Sequence, residues 1–348
     1  MWQYWVMFLM VPISAAVFRR VKPSQVWVPF GFVGFVISII IGWRDQVGGD
    51  WYTYAYQFWL YGSMGFSEAL AIGKDPGYSI LSSLVYFLGG DIYSLNLVCA
   101  SALVIGAVVL ARRQPYPWLA LLAAVPYLFI VVGMGYTRQS VAIGCAMVGL
   151  VALEQSRIKT FVFWLFVAAA FHKSAVLLLP MAALAADRNR VWTACWVTVM
   201  FALGAWLYLY ESSEALVKNY IQSDYADASQ GAGIRVAMNA VPSVLAFLFR
   251  RRLFEVRRER RLWLWMALFS LICIPLLALS ATAVDRLALY FIPLQLVIFA
   301  RLPLVLKSAG QRLMISGAVV IYYASVQFVW LNYAGHVEYW VPYRFMPV

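Results

Sequence analysis

The sequence has little charge for its length. Asp, Glu, Lys and Arg make up 12% of the 348 residues and hydrophobic residues 64%, and the mean hydropathy is +0.78. A water-soluble domain of this composition would expose apolar patches larger than the roughly few hundred Å² that soluble monomers tolerate. In a bilayer it is ordinary, because each helical span needs about 20 mostly apolar residues. The composition therefore excludes a soluble globular protein and predicts an all-α polytopic membrane protein.

Several chemical signatures are also missing. The chain has no P-loop, no CxxC pair and no His/Cys cluster with metal-ligand spacing. Its four cysteines lie singly within apolar stretches, which is typical of small packing residues rather than of disulfides or metal sites. We therefore expect no ATP-driven transport by this chain alone and no resident metal or cofactor.

Apolar runs separated by charged breaks predict about 12 transmembrane helices, within a range of about 11–14. The runs are 2–18, 26–42, 91–111, 117–133, 139–153, 161–172, 174–186, 191–210, 236–250, 262–282, 287–301 and 313–331.

Two stretches are short for spans, and we expect re-entrant or half-length helices near 77–89 and 160–186. Basic residues follow the first run rather than precede it, which favours a retained span over a cleaved signal peptide. We expect one transmembrane domain over residues 1–348.

The basic residues predict the orientation. With the N-terminus outside, 19 of the 27 Lys and Arg fall in inner loops, including the cytoplasmic loop 250–261, and 11 of the 15 acids fall outside. The longer outer loops are then 43–76 and 211–235. The arginine-rich loop 250–261 is typical of a cytoplasmic surface against anionic lipid, so we expect no nucleic acid as a partner.

The remaining basic residues lie on the predicted outer face, several of them where an apolar run ends. Arg44 and Asp45 precede the paired glycines before Asp50, and Arg138 follows a very short turn at membrane depth. Each group also has a purely structural interpretation. Arg44 and Asp45 could form an ion pair that caps a helix end, and Arg138 could extend its side chain to the lipid head groups. The aromatic segment 51–61 suits either sugar stacking or an interfacial belt.

Two further groups are His172 with Lys173, between apolar halves, and Asp285 with Arg286, in a late turn. The structural interpretation of His172 is a packing residue, and that of Asp285 and Arg286 is a salt bridge between the two. Arginines that converge beside a few acids and one His favour an anionic substrate, because the planar guanidinium binds phosphate oxygens bidentately. At the outer surface of an inner membrane the expected dianion is a polyprenyl pyrophosphate. Further candidate substrate-binding residues near these groups are Tyr54, Tyr136, Gln139, Arg235, Tyr290, Tyr343 and Arg344.

Three ordered motifs resemble the EpsG family, which belongs with the Wzy-type polymerases of bacterial exopolysaccharide and O-antigen assembly. They are R-D-x-x-G-x-D-x-x-x-Y over residues 44–54, R-Q-S-V-A from Arg138, and F-H-K-S-A from Phe171. Gly49 departs from the hydroxyl residue expected before the aspartate, so no role of that side chain transfers, whereas Asp50 is unaffected.

The resemblance implies a multispan glycosyltransferase similar to the GT-C class that polymerises undecaprenyl-pyrophosphate-linked repeat units. Donor and acceptor are then lipid-linked glycans, undecaprenyl pyrophosphate is released, and other polysaccharide assembly or export proteins are potential partners. The implied location is the bacterial inner membrane, with the active site facing the periplasm or the outside.

The residues fit such a reaction. Fixed cations would stabilise the departing pyrophosphate, with Arg44, Arg138 and Arg286 preferred, and Arg235 and Lys173 next. The base would be His172 or Asp50, with a preference for His172 because a neutral imidazole suits pH 7. Asp285 would orient Arg286 or serve as the base. Binding of a divalent ion by the carboxylates of Asp45, Asp50 and Asp75 stays an alternative.

Rival readings share part of this chemistry. A ligase would use the same lipid-linked donor with another acceptor, so the arginines do not separate the two. A flippase or transporter should line a path with polar residues through its spans, whereas spans 117–133, 191–210 and 313–331 are nearly free of charge. A scaffold subunit of an export complex would not need converging arginines.

Overall fold

A computed structural model describes residues 1–18, 27–186, 190–207 and 232–347 of the chain. These residues are 82% helical and contain no strand, apart from an isolated antiparallel bridge between Arg44 and Phe345. The helices are α1 (Trp2–Val17), α2 (Trp27–Gly42), α3 (Trp51–Gly62), α4 (Phe66–Ile72), α5 (Pro76–Phe87), α6 (Ile92–Ala111), α7 (Pro117–Gly135), α8 (Thr137–Glu154), α9 (Ile158–Phe171), α10 (Lys173–Ala185), α11 (Arg190–Ala205), α12 (Ala232–Leu248), α13 (Arg250–Leu253), α14 (Arg257–Leu276), α15 (Ala281–Val305) and α16 (Ala309–Tyr333).

Each of the twelve predicted apolar runs is mostly helical in its described part, which confirms the all-α prediction. The run 262–282 crosses the break between α14 and α15. Residue 26 and the end of the run 191–210 lie outside the described residues. By length and composition, four described helices could cross a membrane: α6, α7, α15 and α16. Six apolar stretches of 10–17 residues are shorter; they form α1, α2, α9, α10 and α12 and most of α11.

The centre of the bundle is formed by α7 and α15. The most apolar 18-residue windows of these helices are 94% and 89% buried inside the protein, against 17% for α16 at the periphery. Helices α6 and α8 pack backbone to backbone, because a Cβ on Gly106 would lie 2.2 Å from the carbonyl oxygen of Gly144. Small residues at such a contact are the usual device for close helix packing in membranes.

Helix α7 widens in its second half, where Val125–Val132 form a π-helix. Pro126 opens this segment and has no N–H to donate, so the regular α-helical ladder cannot run through it. The segment leads directly to Gly133–Gly135 and the start of α8.

The short helices occur where the sequence predicted them. α5 has 12 residues and α9 has 14, and His172 is an extended residue between α9 and the opening 3₁₀ turns of α10. Helices α3 and α4 differ from the expectation of an outer loop over 43–76, because the aromatic segment 51–61 within it is helical. In α3, helical spacing buries Tyr54, Phe58 and Tyr61.

The opposite face of α3 exposes three aromatic side chains, Tyr52, Tyr56 and Trp59. The aromatic residues of 51–61 thus lie on both faces of a helix, one face buried and the other exposed, with the 3.6-residue period of an amphipathic helix.

The bundle has two ends of different character. At the end we call the site end, α2 and α9 terminate and α8, α12 and α15 begin; the opposite end, with the arginine-rich segment 250–261, is the basic end. Arginines of the basic end donate to carbonyl oxygens at helix ends: Arg252 to Val305, Arg258 to Glu154, and Arg261 to Ala186. These carbonyls lack intrahelical partners, so the arginines cap the helices.

Candidate functional site

An ion pair between α8 and the turn before α5 lies at the site end. Arg138 Nη1 is 2.5 Å from Asp75 Oδ2, and Asp75 is buried. The Arg138 guanidinium also lies 5.7 Å from the centre of the Tyr54 ring. Burial raises the pKa of the Asp75 carboxyl, and the charges of Arg138 and Lys173 oppose that shift. Asp75, considered from sequence only as a metal candidate, thus holds the Arg138 side chain in place.

A second ion pair joins α12 to α15. Both oxygens of Asp285 accept hydrogen bonds from Arg235, one from Nε and one, at 2.7 Å, from Nη2. The neighbouring Arg286 side chain is exposed at the same end. Its backbone carbonyl accepts a hydrogen bond of 2.6 Å from Gln139, whose buried side chain ties α15 to α8.

His172 lies within electrostatic range of Arg138, from the first pair, and of Arg286, the neighbour of Asp285. Its Nδ1 is 2.7 Å from the hydroxyl oxygen of Ser174 and 3.4 Å from that of Tyr290, which is buried. Burial, followed by the charges of Arg286 and Arg138, lowers the pKa of His172 to about 3. The imidazole is therefore neutral at pH 7.

Asp50 is the acid that opens towards solvent. It sits at the N-terminus of α3, but its side chain makes no cap hydrogen bond. Surrounding protein atoms raise the pKa of its carboxyl even though the side chain is exposed, and Arg286 and Arg138 act in the opposite direction. Asp50 and His172 are thus each within electrostatic range of both Arg138 and Arg286.

Arg44 occupies a different position from the one expected. It is 1% exposed, and its guanidinium donates to the carbonyl oxygens of Val47 (3.0 Å) and Ile41 (2.8 Å) and to Thr137 Oγ1 (3.0 Å). Burial lowers its pKa to about 10, so the side chain stays charged at neutral pH. A guanidinium used in this way holds the loop after α2 against the start of α8.

Three other expected site residues have hydrogen-bond partners outside the cluster. Asp45 accepts a hydrogen bond of 2.9 Å from Tyr93, Tyr343 donates to the Ile40 carbonyl at 2.6 Å, and the exposed Arg344 donates to Gln46 at 2.9 Å.

Two further expected residues, Tyr54 and Tyr136, lie with the cluster. Tyr54 packs edge to face on Tyr78 beneath Arg138, with ring centroids 5.6 Å apart. Tyr136 is half-buried and within electrostatic range of Asp50 and Arg286.

Two members of the cluster, Asp75 and Ser174, were not among the expected catalytic or substrate-binding residues. Asp75 directly precedes Pro76 and the short helix α5, and Ser174 belongs to the F-H-K-S motif, so both were visible as neighbours of recognised features. No group of three His, Cys, Asp or Glu side chains that could hold a metal ion occurs in the part of the chain that the structure describes.

The chain was compared with protein-family models, curated proteins and solved structures. A model described as the EpsG family matches residues 27–345, and so includes both ion pairs, His172 and Asp50. No curated protein and no solved structure matched the chain.

Proposed function

The chain belongs to the EpsG family, a family of Wzy-type polysaccharide polymerase-like proteins, and on that premise we propose that it polymerises undecaprenyl-pyrophosphate-linked repeat units. The observation that carries the proposal is the convergence at one end of the bundle of Arg138, Lys173 and Arg286 around His172 and Asp50. These side chains come from four separate segments, so the fold itself assembles the cationic surface.

A cationic surface of this kind suits a pyrophosphate leaving group. Arg138 is oriented by Asp75 at 2.5 Å and rests over the Tyr54 ring, so its position is set before substrate arrives. Fixed charges aimed at developing negative charge stabilise a transition state without reorganisation. Arg286 and Lys173 would supply the remaining neutralisation, and Arg235 would be held by Asp285 beside them.

The proposed reaction is a displacement at the anomeric carbon of the donor glycan. A hydroxyl oxygen of the acceptor sugar forms the new bond to this carbon, and the bond from the carbon to the pyrophosphate oxygen breaks. The electron pair leaves with undecaprenyl pyrophosphate, and the acceptor proton passes to a base on the protein.

Asp50 is the stronger candidate for that base. Its carboxylate faces solvent, and its pKa is raised towards the working pH, which improves a general base. His172 is neutral, but its lowered pKa makes it a poor proton acceptor, and its Nδ1 already faces Ser174. His172 would then serve as a neutral hydrogen-bonding group for a sugar hydroxyl.

The exposed rings of α3 provide a surface for the acceptor glycan. Tyr52, Tyr56 and Trp59 lie on one face of the helix that Asp50 begins. Aromatic faces stack on the apolar faces of sugars. An acceptor laid along α3 would bring its terminal hydroxyl to Asp50.

The membrane arrangement completes the proposal. We place about 12 spans in a bacterial inner membrane, in a GT-C-like multispan architecture, with the site end facing the periplasm or the outside. The predicted excess of basic residues on the opposite side supports this orientation.

The test is elongation in vitro. Purified protein in lipid vesicles would receive a synthetic undecaprenyl-pyrophosphate-linked repeat unit, and product length would be read on a gel. Arg286→Ala is the informative variant, and Arg250→Ala is its matched control, since both arginines are exposed and they lie at opposite ends.

The expected result is a ladder of longer lipid-linked glycans with wild type and Arg250→Ala, and a loss of roughly a hundredfold or more in rate with Arg286→Ala. Folded wild type that leaves the repeat unit unextended would overturn the polymerase proposal. Transfer to a different acceptor would favour a ligase, and movement of intact donor across the vesicle membrane a flippase.

A further inference from the structure

The segment that follows α16 returns to the loop that precedes Asp50; we call residues 334–347 the C-terminal strap. We propose that the strap positions the candidate site and that Trp340 is its main positioning residue. The inference rests on the proposed function, because the site that Trp340 would position is the proposed polymerase site.

The strap is bound to the loop by its main chain. Asp45 N donates to the Arg344 carbonyl (2.9 Å), Gly48 N to the Tyr339 carbonyl (2.8 Å), and Met346 N to the Trp43 carbonyl (2.7 Å). The antiparallel bridge between Arg44 and Phe345 belongs to this pairing. The loop is also bent by positive φ angles at Gln46 (52°) and Gly48 (104°). The strap thus adds three main-chain hydrogen bonds to the loop, beside the bonds that the Arg44 guanidinium donates to the Ile41 and Val47 carbonyls.

Trp340 anchors the strap in the bundle. Its side chain is buried, its indole N–H donates to the Ile130 carbonyl at 3.1 Å, and its own carbonyl accepts a hydrogen bond of 2.5 Å from the Tyr4 hydroxyl. Ile130 lies in the π-helix of α7, where carbonyls are displaced from the α-helical ladder.

The indole also covers Gly135. A Cβ on Gly135 would lie 2.6 Å from Cζ2 of Trp340, so the ring lies directly against the backbone at the end of α7. The next residues are Tyr136, Thr137 and Arg138. The position of the ring therefore fixes the turn that presents Arg138 to Asp75.

The pairing of the strap with the loop and the packing of Trp340 on Gly135 both act on the candidate site. Arg44, within the strap-bound loop, donates to Thr137, which precedes Arg138, and the same loop ends at Asp50. Asp50 and Arg138 thus share one support. Displacement of a catalytic group by about 1 Å can cost about a hundredfold in rate, so removing this support should lower turnover without removing any group that touches substrate.

The experiment uses the full chain in lipid and a double-mutant cycle. The variants are Gly135→Ala, which puts a methyl group into the indole; Trp340→Phe, which removes the N–H donor and shrinks the ring; and both together. Gly317→Ala and Trp192→Phe are matched controls: a Cβ on Gly317 meets no atom within 4 Å, and Trp192 is exposed on α11. The measurements are kcat, KM for the lipid-linked donor, folded fraction, and hydrogen exchange of residues 43–50.

We expect each single variant to lower kcat per folded molecule by roughly tenfold or more, with a smaller change in KM and faster exchange in residues 43–50. The double variant should regain part of the activity that Gly135→Ala loses, because the smaller ring leaves room for the methyl group. The controls should match wild type.

Loss of activity in proportion to folded fraction alone would reduce Trp340 to a structural residue and overturn the inference. So would wild-type kcat and exchange in both single variants. If wild type itself fails to elongate the repeat unit, the proposed function fails, and exchange in residues 43–50 then decides separately whether the strap supports the loop.

Discussion

Asp285 accepts two hydrogen bonds from Arg235, a residue that precedes it by 50 positions. The pair fastens α12 to α15 with both side chains largely buried, although the sequence had suggested Arg286, its neighbour, as the partner. A bidentate arginine–carboxylate contact fixes orientation as well as distance.

Removing one partner of this pair should destabilise the fold. Asp285→Ala leaves the Arg235 charge without its main counter-ion, and the expected cost is about 3 kcal/mol. Arg235→Met combined with Asp285→Leu should recover much of that loss, because it removes both charges. Thermal unfolding in detergent measures the effect, with Arg251→Ala as an exposed control. A single variant as stable as this control would contradict the prediction.

Activity should fall at low pH because of Asp50 and not because of His172. A general base must be deprotonated, and the raised pKa of Asp50 places the acid limb of kcat/KM above the ordinary aspartate range, with activity lost as pH falls through it. The pKa of His172, lowered to about 3, keeps its imidazole neutral across the physiological range.

The pH–rate profiles of wild type, His172→Gln and Asp50→Asn distinguish these groups. We expect His172→Gln to lower the rate without moving the acid limb, and Asp50→Asn to abolish turnover. An acid limb near 6.5 that disappears in His172→Gln would instead identify the histidine as the base.

Arg44→Lys should reduce stability rather than substrate affinity. A lysine ammonium cannot reproduce the planar fork that reaches Val47, Ile41 and Thr137 together. We expect a loss of about 2 kcal/mol, because hydrogen bonds from a buried charged group are broken.

Unfolding midpoints and donor KM would be measured beside Arg344→Lys, an exposed position at the same end. The folded fraction of Arg44→Lys should keep a KM close to that of wild type. A large rise in KM at unchanged stability would show that Arg44 contacts substrate after all.

The contact between α6 and α8 should tolerate no methyl group. Gly106→Ala places a Cβ 2.2 Å from the Gly144 carbonyl oxygen, so the helices must separate, at a cost of about 1–3 kcal/mol. Gly317→Ala, in open space on α16, should be neutral or slightly stabilising. Unfolding midpoints of the two variants test the contrast, and equal values would show that the close approach is not needed.

The sequence predicted the features that depend on neighbouring residues. Charges that interrupt an apolar run predicted the α9–α10 hairpin and its tip at His172, and apolar run length predicted the helices. The motifs around Asp50, Arg138 and His172 led to the same segments that the fold brings together.

What the sequence could not provide is the direction of a side chain and the choice of a distant partner. Arg44 turns into the core because Thr137 and two carbonyls receive it there, a fact that no local pattern contains. The pairs Arg138–Asp75 and Arg235–Asp285 join residues 63 and 50 positions apart. Helix α3 was missed because its aromatic residues occupy both of its faces.

The arginine caps of the basic end have a consequence for any experiment that reverses charges to alter insertion. Arg252, Arg258 and Arg261 each count towards the positive-inside bias, yet each also terminates a different helix through a main-chain oxygen. A glutamate at any of these positions would remove a positive charge from the predicted orientation signal and would also remove the cap of a helix. A lysine would keep the positive charge but weaken the cap. A series of lysine variants can therefore separate the insertion topology of the chain from the stability of the inserted bundle.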